Sequence, residues 1–408
     1  LWPFFARKSE STEEKKSLAW PDWQDLALLG AAPSAAGISI TAETAMRCTP
    51  VAQAVALISG SIASLPIRVS RLKAGGIREE LPPADYKSAA VLRRPNGWTG
   101  GVTFWRDLIA DAVLTGNGIA VVTRVRGEVR ELLRVPPETV TIERDLGSFE
   151  PRFMITLAGG ESRLYPVRDV IHLRGLPAAD GLRGRGLTTD AREAIGLALL
   201  LERHGAKLFA NGARPGGVLK APGKLTPDVI ARLAASWKAA HNADTAGSTV
   251  ILESGLDFTT LALKSTDAQF LALRRFAIAE IARAANVSPL LLGDLEKSTF
   301  SNAEIAAQNL LSFSLTPWIE QLEDELERVL LPAGDRDAVS IDFDYGSLAV
   351  ADLEKRTAAA AKRIETGLST INEERAALSR SPIAGGDLPR TSVQSQPLTA
   401  SAATEATQ

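Results

Sequence analysis

The chain has 408 residues, with 46 Lys+Arg against 48 Asp+Glu for a formal net charge of −2, one cysteine and three histidines. One cysteine excludes an internal disulfide and any multi-cysteine zinc site, and the balanced charge argues against a dedicated DNA-binding domain with a basic excess. At 45% hydrophobic the chain can bury a sizeable core, and its length predicts two or three domains.

Residues 6–20 are charged and aperiodic and read as an arm. Residues 391–408 are rich in Ser, Thr, Ala and Gln and read as a disordered tail. The most apolar stretches are 26–40 and 51–67. Gly30, Pro33 and Gly37 break the first; Gln53, Ser59, Ser61 and Ser64 interrupt the second, which ends at Pro66. Neither supplies about 18 uninterrupted apolar residues, so no membrane span is expected. Residues 1–5 lack a basic segment followed by a cleavage site, and an intracellular setting fits the lone Cys48.

Between the ends the spacing predicts an α+β fold. Thr49-Pro50 reads as an N-cap and first helical proline, opening a helix that stops before Pro66. A strand over 67–72 and a turn at Gly75-Gly76 follow. Residues 102–114 read as a helix ending at Gly116-Asn117-Gly118. Strands over 119–125, 131–135 and 139–143, the first two joined at Arg126-Gly127, form an antiparallel sheet under that helix. Residues 188–210 read as a long helix closed by Asn211-Gly212. A small α/β insert comes next: strand 217–220, helix 227–240 capped by Thr226, and strands 249–252 and 258–263. A second long helix opens at a Thr266/Gln269 capping box and runs to about Ala285. After a loop over 289–300, a Ser301/Glu304 box opens a helix to about Leu330, with Leu311, Leu315, Trp318, Leu322, Leu326 and Val329 at helical spacing. Pro317 lies inside that pattern and predicts a kink. A strand over 339–345, a helix over 348–365 stopped by Gly367, and a short helix opened by Thr370/Glu373 complete the pattern.

Catalytic chemistry is hard to find. Gly223-Lys224-Leu225 lacks the hydroxyl and earlier glycine of a phosphate-binding loop, and Gly181 to Gly186 lacks a dinucleotide fingerprint and reads as a flexible turn. His172, His204 and His241 have no second ligand at metal spacing; His172 alternates with Ile171 and Leu173 and reads as a structural strand residue. Asp342 and Asp344 share one strand face and admit a metal-dependent nuclease or phosphotransferase, though a strand with one wet face accounts for them better. Cys48 has no marked base and reads as a small buried hydrophobe. The basic pairs Arg93-Arg94, Arg183/Arg185 and Arg274-Arg275 are not interleaved with aromatics as in a stacking platform. No catalytic residue, metal or cofactor is assigned.

Several segments in order resemble the HK97-type phage portal proteins, including the portal of bacterial gene transfer agents. They are PVAQAVALISGSIASLPIRV (50–69), LRRPNGW (92–98), LTGNG (114–118, with Gly118 where the family usually has Ala), LYPVRDVIHLRGLPAADGLRGRG (164–186), LFANGARPGGVL (208–219), AQFLALRRFAIAEIARAANVSPLLLG (268–293), Ser298-Thr299-Phe300-Ser301-Asn302 within the continuing 294–331, and INEERAALSRSPIAGGD (371–387). The conjunction, not any single motif, carries the resemblance.

The resemblance implies a portal-type subunit: arm 1–47, α/β wing 48–187, stem helices 188–212 and 265–288, clip 213–264, tunnel loop 289–303, kinked wing helix and strand 304–347, short crown 348–390 and tail 391–408. It implies a ring of twelve copies at one capsid vertex, passing double-stranded DNA and docking a large terminase, then a head–tail adaptor, beside the major capsid protein. Leu295, Glu296, Lys297, Ser298, Thr299, Phe300, Ser301 and Asn302 would line the channel; Arg274, Arg275 and Arg283 would lie in the stem; Lys220, Lys224, Asp228 and Arg232 would face terminase and adaptor. The subunit would sit in a virion or gene-transfer-agent particle after assembly in the host cytoplasm. The Ala-rich composition and short crown incline the reading towards a gene transfer agent. A head–tail structural protein without a channel is the remaining structural alternative.

Overall fold

A computed structural model describes residues 33–72, 78–82, 87–157, 159–210, 217–220, 223, 226–240, 257–260, 266–295, 299–344, 353–377 and 382–389. The chain divides into two units, Leu1–Phe343 and Asp344–Gln408. Residues 1–32 of the arm, the Gly75-Gly76 turn, Asn211-Gly212, the strand expected over 249–252 and the tail lie outside the described residues.

In the first unit, a one-turn helix α1 (Ala42–Met46) leads into α2 (Thr49–Ala63). The N-cap of α2 is Cys48, not Thr49; Pro50 sits inside the first turn, where its missing N–H costs nothing. Val51, Ala54, Val55, Ile58 and Ile62 are buried at helical spacing. Strand β1 (Ile67–Leu72) pairs antiparallel with β2 (Arg78–Glu80). Helix α3 (Lys87–Arg93) precedes α4 (Gly101–Thr115), which packs on α2 and buries Phe104 and Trp105 edge to face at 5.0 Å. The Trp105 indole N–H donates to the Leu92 carbonyl at 3.0 Å, so the buried polar atom is satisfied.

Strands β3 (Asn117–Val125) and β4 (Glu128–Val135) form the expected hairpin, with Arg126 (φ 54°) and Gly127 (φ 83°) both left-handed, as a two-residue loop of that twist demands. Beyond it lies a meander that sequence reading only half anticipated: β5 (Val140–Arg144), β6 (Pro151–Thr156) and β7 (Ser162–Pro166). Strand β8 (Val170–Arg174) then returns to pair with β3. A small core of Ile119, Ile142, Phe153 and Val170 joins the meander to that sheet. A short ribbon, β9 (Leu176–Pro177) with β10 (Gly184–Arg185), follows.

The first long helix is divided at Ala191 into α5 (Leu187–Asp190) and α6 (Arg192–Ala210). The insert contains β11 (Gly217–Lys220), α7 (Pro227–Ala240) and β12 (Asp257–Thr260), the two strands antiparallel. Helix α8 (Thr266–Ala284) packs on α6. Next come α9 (Phe300–Asn309), a π-helical stretch Leu310–Leu315, and α10 (Thr316–Leu330). Strand β13 (Val339–Phe343) completes the unit by pairing antiparallel with β1. The main core gathers α2, α4, α6, α8 and α10 with β1, β8 and β13.

The second unit contains α11 (Leu353–Glu365) and α12 (Ile371–Ala377). The Thr370/Glu373 box forms: Thr370 N donates to Glu373 at 2.8 Å and Glu373 N to Thr370 Oγ1 at 3.2 Å. Asn372 binds the Ile383 carbonyl at 3.0 Å and Asp387 at 2.8 Å, and Arg363 pairs with Glu374 at 2.7 Å. The Asn-Glu-x-x-Arg and Gly-Gly-Asp motifs thus close on each other.

Candidate functional site

The segment between α8 and α9 is held at both ends. Asn286 adopts a left-handed conformation (φ 54°), and Pro289–Leu292 forms a 3-10 turn closed by Gly293 at φ 90°. Gln53 Nε2 donates to the Leu291 carbonyl at 2.7 Å, tying this turn to α2, while Leu292 is buried. Leu295 is exposed. Glu296, Lys297 and Ser298 lie outside the described residues. Thr299, not Ser301, caps α9, its side chain accepting from Asn302 N at 3.2 Å. Phe300, Ser301 and Asn302 are therefore the first helical turn, not loop. The cause is a choice between two hydroxyl caps two residues apart: Thr299 adopts the extended N-cap backbone, and helix begins behind it. An open cleft of about 670 Å³ separates α8 from α9, with Arg275 and Phe276 on one wall, Asn302 and Ile305 on the other, and Pro289 and Leu290 between.

The irregularity expected at Pro317 lies before it, spread over the π-helical stretch. Proline has no N–H for the carbonyl one turn earlier, that of Phe313. Asn286 Nδ2 supplies the missing donor at 2.7 Å. Ser314 Oγ donates back to the Asn286 carbonyl, and Thr316 Oγ1 donates to Leu311 O at 2.8 Å. The bulge is thus a satisfied joint.

Helix α10 lies between the outer edges of two sheets. On one flank, Glu327 accepts from Ile341 N at 2.9 Å and Glu323 from Phe343 N at 2.6 Å. On the other, Glu325 accepts from His172 N and Gln321 from Arg174 N, each at 3.2 Å. Residues four apart on a helix advance about 6 Å, close to the two-residue step along a strand, so each pair matches alternate edge amides. Arginines finish the helix C-terminus: Arg124 donates to Val329 O at 2.5 Å and Arg336 to Arg328 O at 2.7 Å. Arg328 reaches Val167 O at 3.0 Å and Val170 O at 2.9 Å. Burial raises the Glu323 carboxyl to about 7, opposed by the Phe343 N–H and reinforced by Asp342, Glu327 and Glu320.

The Gly181–Gly186 segment is not a flexible turn. A Cβ on Gly184 would lie 2.1 Å from the Gly116 carbonyl oxygen, so the two backbones touch. Asn117 Oδ1 accepts from Gly184 N at 2.9 Å and contacts His172 Nε2 at 3.1 Å. Asn117 Nδ2 donates to Gly184 O at 3.2 Å, so Oδ1 is the acceptor end and the imidazole is protonated on Nε2. His172 is buried and held neutral, its pKa lowered to about 3 by burial and by Arg174 and Arg328. It is a structural histidine.

The remaining site residues are dispersed. Arg274 and Arg283 are exposed on α8, Arg283 paired with Glu280, and Arg275 is half-buried at the cleft wall. Lys220 is exposed at the end of β11; Asp228 and Arg232 are exposed one turn apart on α7; Lys224 lies outside the described residues. Asp342 accepts from Ser70 Oγ at 3.1 Å and Ser340 Oγ at 2.7 Å, which fixes one carboxylate oxygen by hydroxyls. Among the described residues no group of three or more His, Cys, Asp or Glu could hold a metal. Cys48 is buried, its thiol pushed up to about 11 mainly by burial. Among them no helix is long and apolar enough to cross a membrane. The acids of α10 and the amide of Asn286 were not singled out by sequence, where no motif marks them.

Among the described residues, helix α10 braced between two sheet edges is the frame from which the segment before α9 projects. The family model described as "Phage portal protein" matches residues 49–378, and the chain belongs to that family. It is 29% identical to the probable portal protein of Streptomyces phage phiC31 over 382 residues (90% of this chain, 82% of the relative). It is 27% identical to the portal protein of Enterobacteria phage HK97 over 365 residues (88% and 85%). The fold matches an HK97-family phage portal protein from Corynebacterium diphtheriae (TM-score 0.58, 20% identity, 77% of this chain and 99% of that one). It also matches a chain from the neck of a native gene transfer agent particle solved with C12 symmetry (TM-score 0.56, 21% identity, 89% and 94%).

Proposed function

We propose that this portal-family chain is the subunit of a closed ring, twelve copies around a channel at one vertex of a phage or gene-transfer-agent particle, through which double-stranded DNA is packaged and ejected. Family membership across residues 49–378 carries the reading. The C12 and C6 symmetries of the gene-transfer-agent necks whose chains share this fold support a heterologous interface that closes. The role is structural: the energy for packaging comes from a large terminase docked on the clip, residues 213–264, where Lys220, Lys224, Asp228 and Arg232 present charge. The same face then takes the head–tail adaptor, and the major capsid protein surrounds the ring.

The segment Leu295–Asn302, which runs from just past the 3-10 turn through the first turn of α9, is the channel-facing element. Its fixed ends let it touch passing DNA without the ring yielding. One lysine and no arginine in that segment suit sliding, because each phosphate neutralised strengthens binding by counterion release. Arg274, Arg275 and Arg283 belong to the second stem helix. Deleting 295–300 is expected to leave ring assembly intact and to reduce packaged or retained DNA; an unchanged yield of DNA-filled particles contradicts the channel assignment.

A further inference from the structure

The loop between β5 and β6, residues 145–150, carries two of the most exposed large apolar side chains among the described residues: Leu146 is 91% and Phe149 71% exposed. It is a built turn. Asp145 Oδ1 accepts from Gly147 N at 2.9 Å, Ser148 N at 2.7 Å and Ser148 Oγ at 3.1 Å. Asp145 N donates to Glu150 O at 2.9 Å and Phe149 N to Asp145 O at 2.9 Å. Arg152 pairs with Asp145. Phe149 is held at φ 61°, a conformation a bulky side chain rarely adopts, and glycine would occupy it freely. Strain kept at a water-facing phenylalanine is not explained by packing within the chain.

The position of this tip indicates what it meets. From Phe300, within the channel-facing segment, the helical path through Leu330 is thirty-one residues, about 45 Å long. At its far end Arg328 binds Val167 O and Val170 O, at the junction of the meander and β8. The meander that bears the tip therefore sits at the end of α10 away from the channel. Resting on the ring reading above, we infer that Leu146 and Phe149 form a preformed anchor on the ring's outer rim, which seats in an apolar pocket of the surrounding shell protein. The turn is organised before contact, so little conformational freedom is lost on docking, and two apolar side chains entering one pocket have the character of an interface hot spot. The pocket needs no charge of its own for Arg152, which Asp145 already pairs.

The test uses the full chain co-expressed with the major capsid protein of the same particle, comparing wild type, Leu146→Ser and Phe149→Gly. Phe149→Gly is expected to raise the Tm, because it removes the left-handed strain, and yet to lower incorporation of portal into capsids at least tenfold. Leu146→Ser is expected to lower incorporation similarly with the Tm unchanged. Both purified variants are expected to form rings of wild-type mass. Wild-type incorporation of both variants overturns the anchor. Loss of the ring in the variants while wild type keeps it places the contact between copies and overturns the proposal too. A wild type that forms no ring removes the reading on which it rests.

Discussion

The side-chain amide of Asn286 donates to the Phe313 carbonyl at 2.7 Å, the acceptor that Pro317 leaves without a backbone partner. Asn286 closes α8 in a left-handed conformation, so one residue both ends that helix and completes the bulge in the next.

Asn286→Ala is expected to cost about 2 kcal/mol, roughly half from the hydrogen bond and half from placing alanine at positive φ. Asn286→Gly recovers the second part only. Pro317→Ala returns a backbone N–H to Phe313, so the double variant should lose less than the sum, with a coupling of about 1 kcal/mol in denaturant unfolding. Strict additivity would show that the two residues do not share that carbonyl.

Glu323 and His172 tilt stability in opposite directions with pH. The Glu323 carboxyl, about 7 when folded, sits above its ordinary value, so the folded state holds a proton that the unfolded state has released. Its contribution is complete at low pH and is lost as pH rises from about 4.5 to 7. Glu323→Gln keeps an oxygen for Phe343 N and should raise the Tm above pH 7 with little change near pH 4. The His172 ring, held near 3, is neutral when folded, so its contribution is lost as pH falls from 6.5 towards 3. An identical Tm–pH profile for wild type and Glu323→Gln would contradict the buried-carboxyl account.

Gly184→Ala drives a methyl into the Gly116 carbonyl, where backbone on both sides leaves nothing flexible to yield. We expect a loss above about 3 kcal/mol or failure to fold. Gly127→Ala is the comparison: its φ of 83° strains an alanine but its Cβ meets open space, so about 1 kcal/mol is expected from conformation alone. Equal melting shifts would show that the contact at Gly184 costs no more than a left-handed alanine.

Much of this frame was legible where one strong periodicity met a recognisable cap. Helix α2, the Arg126-Gly127 hairpin and the Thr370/Glu373 box appear where spacing put them. The meander was harder to read because its strands bury only Ile142, Phe153 and Ile155, and β6 and β7 carry Pro151 and Pro166 at their ends. Thr299 and Ser301 are chemically equal caps two residues apart, and only the backbone decides between them. Pro317 announces a break but not that a residue thirty-one positions earlier supplies the donor. Glu323, Glu325 and Glu327 look solvated in sequence because nothing local reveals two sheet edges lying on either side. Ring assembly likewise belongs to contacts between copies, and only the ordered conjunction of family segments points to it.

The most direct test of the account is the mass and shape of the purified full chain, by native mass spectrometry and negative-stain microscopy. The account predicts a closed ring with a central hole and about twelve times the 43.4 kDa chain mass. A monomer, or a two-fold dimer without a hole, at concentrations where related rings persist would contradict it.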